Sequence, residues 1–587
     1  MTRRRLLKMS PWGVVALPAA LGQRRNGVGT TEPELTTGGT ASGYGARFRD
    51  VAPEAGLNRT IYYGEVDTSD YISEANGCGV AFYDFDNDGW LDILLLNGSR
   101  RSGIPDGDIA TNRLYKNNRD GTFTDVTAEA GLIRAGWANG VCIGDYDNDG
   151  FDDLFITYRG KNVLYRNNGD GTFTDVTDEA GVGGEAGSWS TGCTFLDYDR
   201  DGHLDLFVAN YVGIESLENL PPKGRTTWKG APVFYGPQGL LKGSHALYRN
   251  NGDGTFTNVS EEAQIRGVLG YGLTAMNTDY NEDGWQDIYL ACDSSPSILL
   301  RNNRDGTFSD IATERGLAYS PDGVAQAGMG LAIGDYTADS KLDIVKTHFA
   351  DDIPGLYRND GQGYFSDESS IAGLQASTRH LEWGAGLVDF DNDGRPDLFY
   401  VAGSVYPEVE AVNPDYPYRA PRFLFRNVGN GLFVNVTEQC GPGLTALHSS
   451  RGCAFGDFDN DGDMDILVMN MNEPPSLIRC DVSSTNHWLK VKLVGTKSNR
   501  TAIGARVYVR TGRLLQVQEL HSQDSYLSVN DFRLHFGLGR ATRVDSIRVD
   551  WPNSEPETIA SIGSDQLIYV MEGEGIVRAE RFGANTG

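Results

Sequence analysis

Seven segments of this chain alternate aspartate with other residues in a single register. They begin at Asp84, Asp145, Asp197, Asp279, Asp335, Asp389 and Asp457. The side chains at positions one, three, five and nine are Asp84, Asp86, Asp88 and Asp92 in the first, Asp145, Asp147, Asp149 and Asp153 in the second, and Asp197, Asp199, Asp201 and Asp205 in the third. The fourth has Asp279, Asn281, Asp283 and Asp287; the fifth keeps Asp335, Asp339 and Asp343 but has Thr337 at position three. Asp389, Asp391, Asp393 and Asp397 form the sixth, and Asp457, Asp459, Asp461 and Asp465 the seventh. Glycine at position six lets a tight turn aim these carboxylates at one centre, and the main-chain carbonyl at position seven adds a ligand: Trp90, Phe151, His203, Trp285, Arg395 and Asp463. Hard oxygen donors in that number select Ca²⁺, whereas Mg²⁺ takes fewer carboxylates and keeps its waters. Turn chemistry alone explains one or two such segments; seven in register predict six to seven bound Ca²⁺. The fifth loop, with Thr337 and with Ser340 in place of glycine, is expected to bind most weakly.

These loops must be held by regular elements. Apolar, β-rich runs flank each one, such as Gly79–Tyr83 before and Ile93–Leu96 after, and neither flank has helical spacing. A second signature, Leu-Tyr-Arg-Asn-Asn-x-Asp-Gly-Thr-Phe-Thr-Asp-Val-Thr in its fullest form, starts at Leu114, Leu164, Leu247, Leu299, Leu356 and Leu424, and its Asp-Gly pair is a hairpin turn. Half of it stands alone at Phe48–Val51, and the array stops mid-signature near Leu477. Beginning and ending out of phase is how a closed ring is built when both chain ends complete one unit. The fold class is therefore all-β, a seven-bladed β-propeller over residues 47–484 followed by a small β-sandwich over 485–575, with a tail at 576–587. Units of about 60 residues exceed the usual blade, the excess lying between Asn210 and Leu247 and between Ser404 and Arg422.

Repeated Asp-x-Asp-x-Asp-Gly-x-x-Asp loops with glycine-rich approaches resemble the FG-GAP/VCBS repeats of integrin α-subunit propellers. Downstream, Asn486–Leu489, Ala502–Ala505, Ser525–Ser528, His535–Gly539 and Val549–Pro552 resemble the ASPIC/UnbV domain. The pairing is similar to the cartilage acidic protein family and its bacterial relatives. That resemblance implies an extracellular calcium-binding propeller joined to a small β domain, and it implies little chemistry.

The chain has 587 residues, 51 basic against 80 acidic, and a net charge of −29. A phosphate backbone or an anionic lipid surface is excluded as partner; no nucleic acid is expected. Residues 1–22 carry three arginines, an apolar stretch too short to span a bilayer and a small-residue cleavage site, an export signal of twin-arginine type. No transmembrane segment is expected, and the mature protein is placed in the periplasm or outside the cell. Residues 23–46 read as a flexible linker. Seven cysteines, an odd number without paired spacing, give no disulfide framework.

The ring face opposite the loops is the candidate ligand surface. Trp137, Trp189 and Tyr271 stand eight residues before their loops, Asn210 and His348 five residues beyond theirs, and His380 and His448 nine before theirs. Aromatics beside amides suit a glycan or a protein surface, while packing between blades explains the same pattern. Two functions follow. One is a secreted binding or scaffolding module for glycan or extracellular protein; the other is an enzyme using His348, His380 and His448, the less favoured because no catalytic motif accompanies them. The sequence leaves the oligomeric state open.

Overall fold

The computed structural model describes residues 44–582 except 186, 218, 219, 221 and 222. The predicted export signal and nearly all of the predicted linker lie outside these residues. Seven four-stranded antiparallel sheets make up the repeat region. Blade one is Val80–Tyr83, Asp92–Leu95, Arg113–Asn117 and Phe123–Asp125. The first strands of blades two to seven are Ala138–Gly144, Ser190–Leu196, Gly272–Thr278, Leu331–Gly334, Glu382–Val388 and Ser450–Gly456. Each first strand runs into an aspartate loop, and the second strand returns from it. In blade seven the outer strand comes from the other end of the chain: Ala46–Asp50 pairs with Ser476–Val482. The out-of-phase ends thus close one sheet, and Tyr44, expected in the linker, is buried with its hydroxyl on Asp397.

The second signature also joins blades. The asparagine at the fourth position of this signature donates Nδ2 to the second loop residue of the preceding blade: Asn167 to Phe85, Asn250 to Tyr146, Asn302 to Tyr198, Asn359 to Tyr280 and Asn427 to Tyr336, at 2.8–3.0 Å. Asn117 does the same to Phe458 of blade seven at 2.9 Å and closes the ring. Asn302→Leu leaves the Tyr198 and Gln286 carbonyls without this donor. A cost of about 1–3 kcal/mol is expected for orphaning such buried groups, measurable by urea denaturation.

The C-terminal region is two four-stranded sheets sharing one hydrophobic cluster, with Leu489, Val491, Phe536 and Val570 from one sheet and Val507, Val509, Ile547 and Val549 from the other. One pairing is parallel, His487–Val494 with Gln566–Met571. The last strand, Gly575–Glu580, carries its sheet into the stretch read as tail.

Between Leu514–Glu519 and Leu534–Gly539 the chain leaves the sandwich and fills the centre of the ring. Val80 donates to Ser528 Oγ at 3.1 Å, Val141 to the Leu527 carbonyl at 3.2 Å, and Leu331 to the Ser525 carbonyl at 2.7 Å. The Cys193 and Ala275 amides meet Gln523 Oε1 at 3.2 and 3.4 Å, and Phe455 donates to Asn530 Oδ1 at 3.0 Å. Tyr526 meets Trp383 edge-on with centroids 4.9 Å apart and donates to the Asn76 carbonyl. All seven first strands are engaged. Ser525 and Leu527 both have φ of +58°, a left-handed conformation that side chains disfavour and that this hydrogen-bond set holds in place. Beyond the tip, the insertions after Asn210 and Ser404 close the far mouth. Tyr211, Val233, Phe234, Tyr406 and Val409 form one cluster with Tyr526 and Leu527, and the Phe234 and Tyr406 rings lie 4.7 Å apart.

All seven cysteines are buried and unpaired. Among the described residues, no helix is long and apolar enough to cross a membrane.

Candidate functional site

Each aspartate loop is built by its own carboxylates. In the first, Asp84 accepts the Asp88 and Gly89 amides at 2.9 and 3.0 Å, and Asp88 accepts the Trp90 amide at 3.0 Å. The same bonds recur in the other six. Position four is left-handed in every copy, from Asn87 to Asn460, and position six likewise. In the fifth loop Ser340 takes φ +67° where the others have glycine, so that loop keeps its shape despite its substitutions. The aspartate at position nine is fixed by the second signature: Asn117 donates its amide to Asp92 at 2.8 Å, and Asn167, Asn250, Asn302, Asn359, Asn427 and Cys480 act equivalently.

Position three differs. Asp86, Asp147, Asp199, Asp391 and Asp459 each keep a buried Oδ1 that receives no hydrogen bond. A buried carboxylate oxygen without a donor is expensive, and five at equivalent positions mark places where a cation fits. In those loops three carboxylates lie with ligand atoms within 4.8 Å of one another. The fourth loop offers the Asn281 amide, whose Nδ2 is on Asp283 at 3.0 Å, and the fifth has the Thr337 hydroxyl on Asp335. Burial pushes Asp92 and Asp343 up to about 9 and Asp145 and Asp459 up to about 8, and neighbouring carboxylates add to the rise. Alone these groups would hold protons at neutral pH; a divalent ion would displace them.

The C-terminal sandwich lies over this loop face. Thr501 accepts the Asp145 amide and donates to Asp152, and Asn553 donates to Asp197 at 2.6 Å. Arg506 donates to the Asp279 carbonyl, and Arg533 to the Asp457 carbonyl at 2.7 Å. His535 Nε2 is 2.7 Å from Asn392 Oδ1. In the seventh loop Lys490 Nζ stands 3.1 Å from Asp457 Oδ2, both side chains fully buried. Lys490→Met is expected to act in opposite directions on two measurements. In chelator it costs about 3–5 kcal/mol, because Asp457 loses its buried counter-ion; in calcium titrations the seventh loop binds more tightly, because an ammonium no longer repels the ion.

On the opposite face the predicted ligand residues do not form one surface. Trp189 is buried against Tyr211 with centroids 4.9 Å apart, and Tyr271 is buried with its hydroxyl donating to the Leu240 carbonyl at 2.7 Å. Trp137 is half-buried, edge-on to Tyr63. These three rings pack against neighbours in the ring and its insertions. His348 is fully buried with Nδ1 2.8 Å from the Ile353 carbonyl, His380 rests on Phe423, and His448 Nδ1 is 2.6 Å from Glu473. Each imidazole has its own partners, and among the described residues the candidate metal clusters contain no histidine. Asn210 lines a cavity of about 520 Å³ beside blade three.

An FG-GAP-like repeat model matches residues 84–156, 145–208, 279–345 and 416–468, and an ASPIC and UnbV model matches residues 495–577. The chain is 26% identical over 518 residues to cartilage acidic protein 1 of Mus musculus, covering 84% of this chain and 73% of that protein. The Homo sapiens protein of the same name is 26% identical over 521 residues, covering 84% and 71%. Among solved structures, an Agrocybe aegerita lectin that recognises non-reducing terminal N-acetylglucosamine aligns over 64% of this chain and 93% of its own, at 17% identity and a TM-score of 0.36.

Proposed function

We propose, from a chain that carries FG-GAP-like repeats and an ASPIC and UnbV domain and is homologous to cartilage acidic protein 1, that this protein is an exported, calcium-loaded propeller serving as a binding module for glycan or extracellular protein. One observation carries the calcium reading: five buried Oδ1 atoms at position three, none with a hydrogen-bond donor. The chain's residues would supply carboxylates from positions one, three, five and nine and a carbonyl from position seven, while the ion would supply only positive charge and geometry. The fifth loop, lacking a carboxylate at position three, binds last. Export rests on residues 1–22. A binding rather than catalytic role is supported by the filling of the ring centre from both ends, where a propeller would otherwise present a pocket. Native mass spectrometry of the mature protein in millimolar calcium tests the first part, with five or more bound ions expected and none overturning it. A mixed array of glycans and extracellular proteins tests the second, and no binding to either class would overturn it.

A further inference from the structure

The cavity of about 520 Å³ that Asn210 lines opens on the face away from the aspartate loops, between blade three and its neighbours. Its volume falls in the range of roughly 300–1,000 Å³ typical of small-molecule sites. Its wall is a relay of amides and hydroxyls. Asn162 Nδ2 donates to Ser190 Oγ at 3.1 Å, Ser190 Oγ to Asn210 Oδ1 at 2.9 Å, and Asn210 Nδ2 to the Ser244 carbonyl at 2.6 Å. Two buried groups on the wall have no partner among the described residues: Ser188 Oγ and His245 Nε2. The Asn210 amide donates to His245 Nδ1 at 3.2 Å, so the proton of this ring sits on Nε2, an unused donor. Burial pushes its pKa down to about 4, which keeps the imidazole neutral. Buried polar atoms are almost always satisfied by protein, water or ligand.

The charge pattern narrows the ligand. Arg266 and Lys242 are matched on this wall by Glu185 and Glu215, with Arg266 tied to Glu185 at 2.9 Å, so the lining carries no net charge to favour an anion. Val208 and Val212 are buried in the wall, and the exposed Leu241 and Leu269 give the cavity an apolar rim. A free hydroxyl and a free N–H, set beside an apolar edge, match a molecule with hydroxyls on its rim and C–H bonds on its face. We infer that the cavity bounded by Asn162, Ser188, Asn210 and His245 is a binding site for a neutral sugar. This rests on the binding-module reading and gives it a location.

The test uses the full mature chain and saturation-transfer NMR with the methyl glycosides of glucose, galactose and mannose, with sialic acid as the anionic comparison. Transfer to at least one neutral glycoside is expected. Ser188→Ala removes a hydroxyl without a partner among the described residues, so the melt should stay unchanged while affinity falls about three- to tenfold, as for one lost hydrogen bond. Ser188→Phe fills the cavity and should abolish transfer; Ile371→Ala, an exposed position outside the cavity, should leave it intact. Transfer to sialic acid alone, or to no sugar, overturns the inference. So does transfer that survives both Ser188 variants, and in that case the binding-module reading stands with its site elsewhere. Absence of every sugar together with absence of any hit on the mixed array removes both.

Discussion

Removing calcium with excess chelator is expected to lower the melting temperature by about 12 °C. At a hundredfold excess over its dissociation constant, a ligand that binds only the folded state contributes about 2.7 kcal/mol per site, so the five loops with complete carboxylate sets would contribute about 13 kcal/mol together. Unfolding entropy of roughly 2.1 cal/mol/K per residue gives about 1.1 kcal/mol/K for the folded part of this chain, and the quotient is the expected shift. Set against the roughly 5–15 kcal/mol by which a domain is usually stable, that loss is large. It arises because carboxylates such as Asp92 and Asp145 are buried beside others and must either take up protons or repel. Readdition of calcium should restore the melt, and equal magnesium should restore it less. Differential scanning calorimetry on protein shown by elemental analysis to be metal-free checks this; an unchanged melt would overturn the calcium reading.

Deleting residues 485–587 is expected to leave a ring without a cooperative melt. The sandwich supplies partners for amides on first strands around the ring, including those of Val80, Val141, Cys193 and Leu331. It also covers the loop face through Thr501, Arg506, Arg533 and Asn553. A ring stripped of it would expose Trp383, Leu273 and Met329, which cluster with Tyr526. The graded form of the experiment is Tyr526→Ala. That side chain is fully buried, and its truncation should cost about 3–5 kcal/mol, the range for large aromatics in cores, with one transition retained in calorimetry. A truncated ring that melts cooperatively near the temperature of the whole protein would show the two parts to be independent.

Repetition made the ring legible. Alternating aspartates announce a loop, the runs beside them announce strands, and Phe48–Val51 falling out of phase announced a closing strand now seen against Ser476–Val482. What local pattern could not show was long-range destination. Ser525–Leu527 reads as a family signature, yet nothing near it in sequence says that it enters a channel lined by residues up to 450 positions away. Trp189 and Tyr271 were read as ligand-face aromatics, and their burial depends on insertions whose sequence carries no repeat to align. Asn210, an amide five residues past its loop, lines a cavity whose other walls come from segments distant in sequence. The blade-joining asparagines were visible as an invariant letter of the second signature, and only the ring geometry gives that letter its task.

The pairing of Ala46–Asp50 with Ser476–Val482 also orders events during biosynthesis. An edge strand made at the start waits for a partner that emerges about 430 residues later, an interval of roughly 20–90 s at ordinary translation speeds. For that time it is an unpaired edge able to join other chains. The seventh blade, and with it the ring, can therefore close only once Ser476–Val482 has been made, and the chain spends most of its synthesis with this edge open.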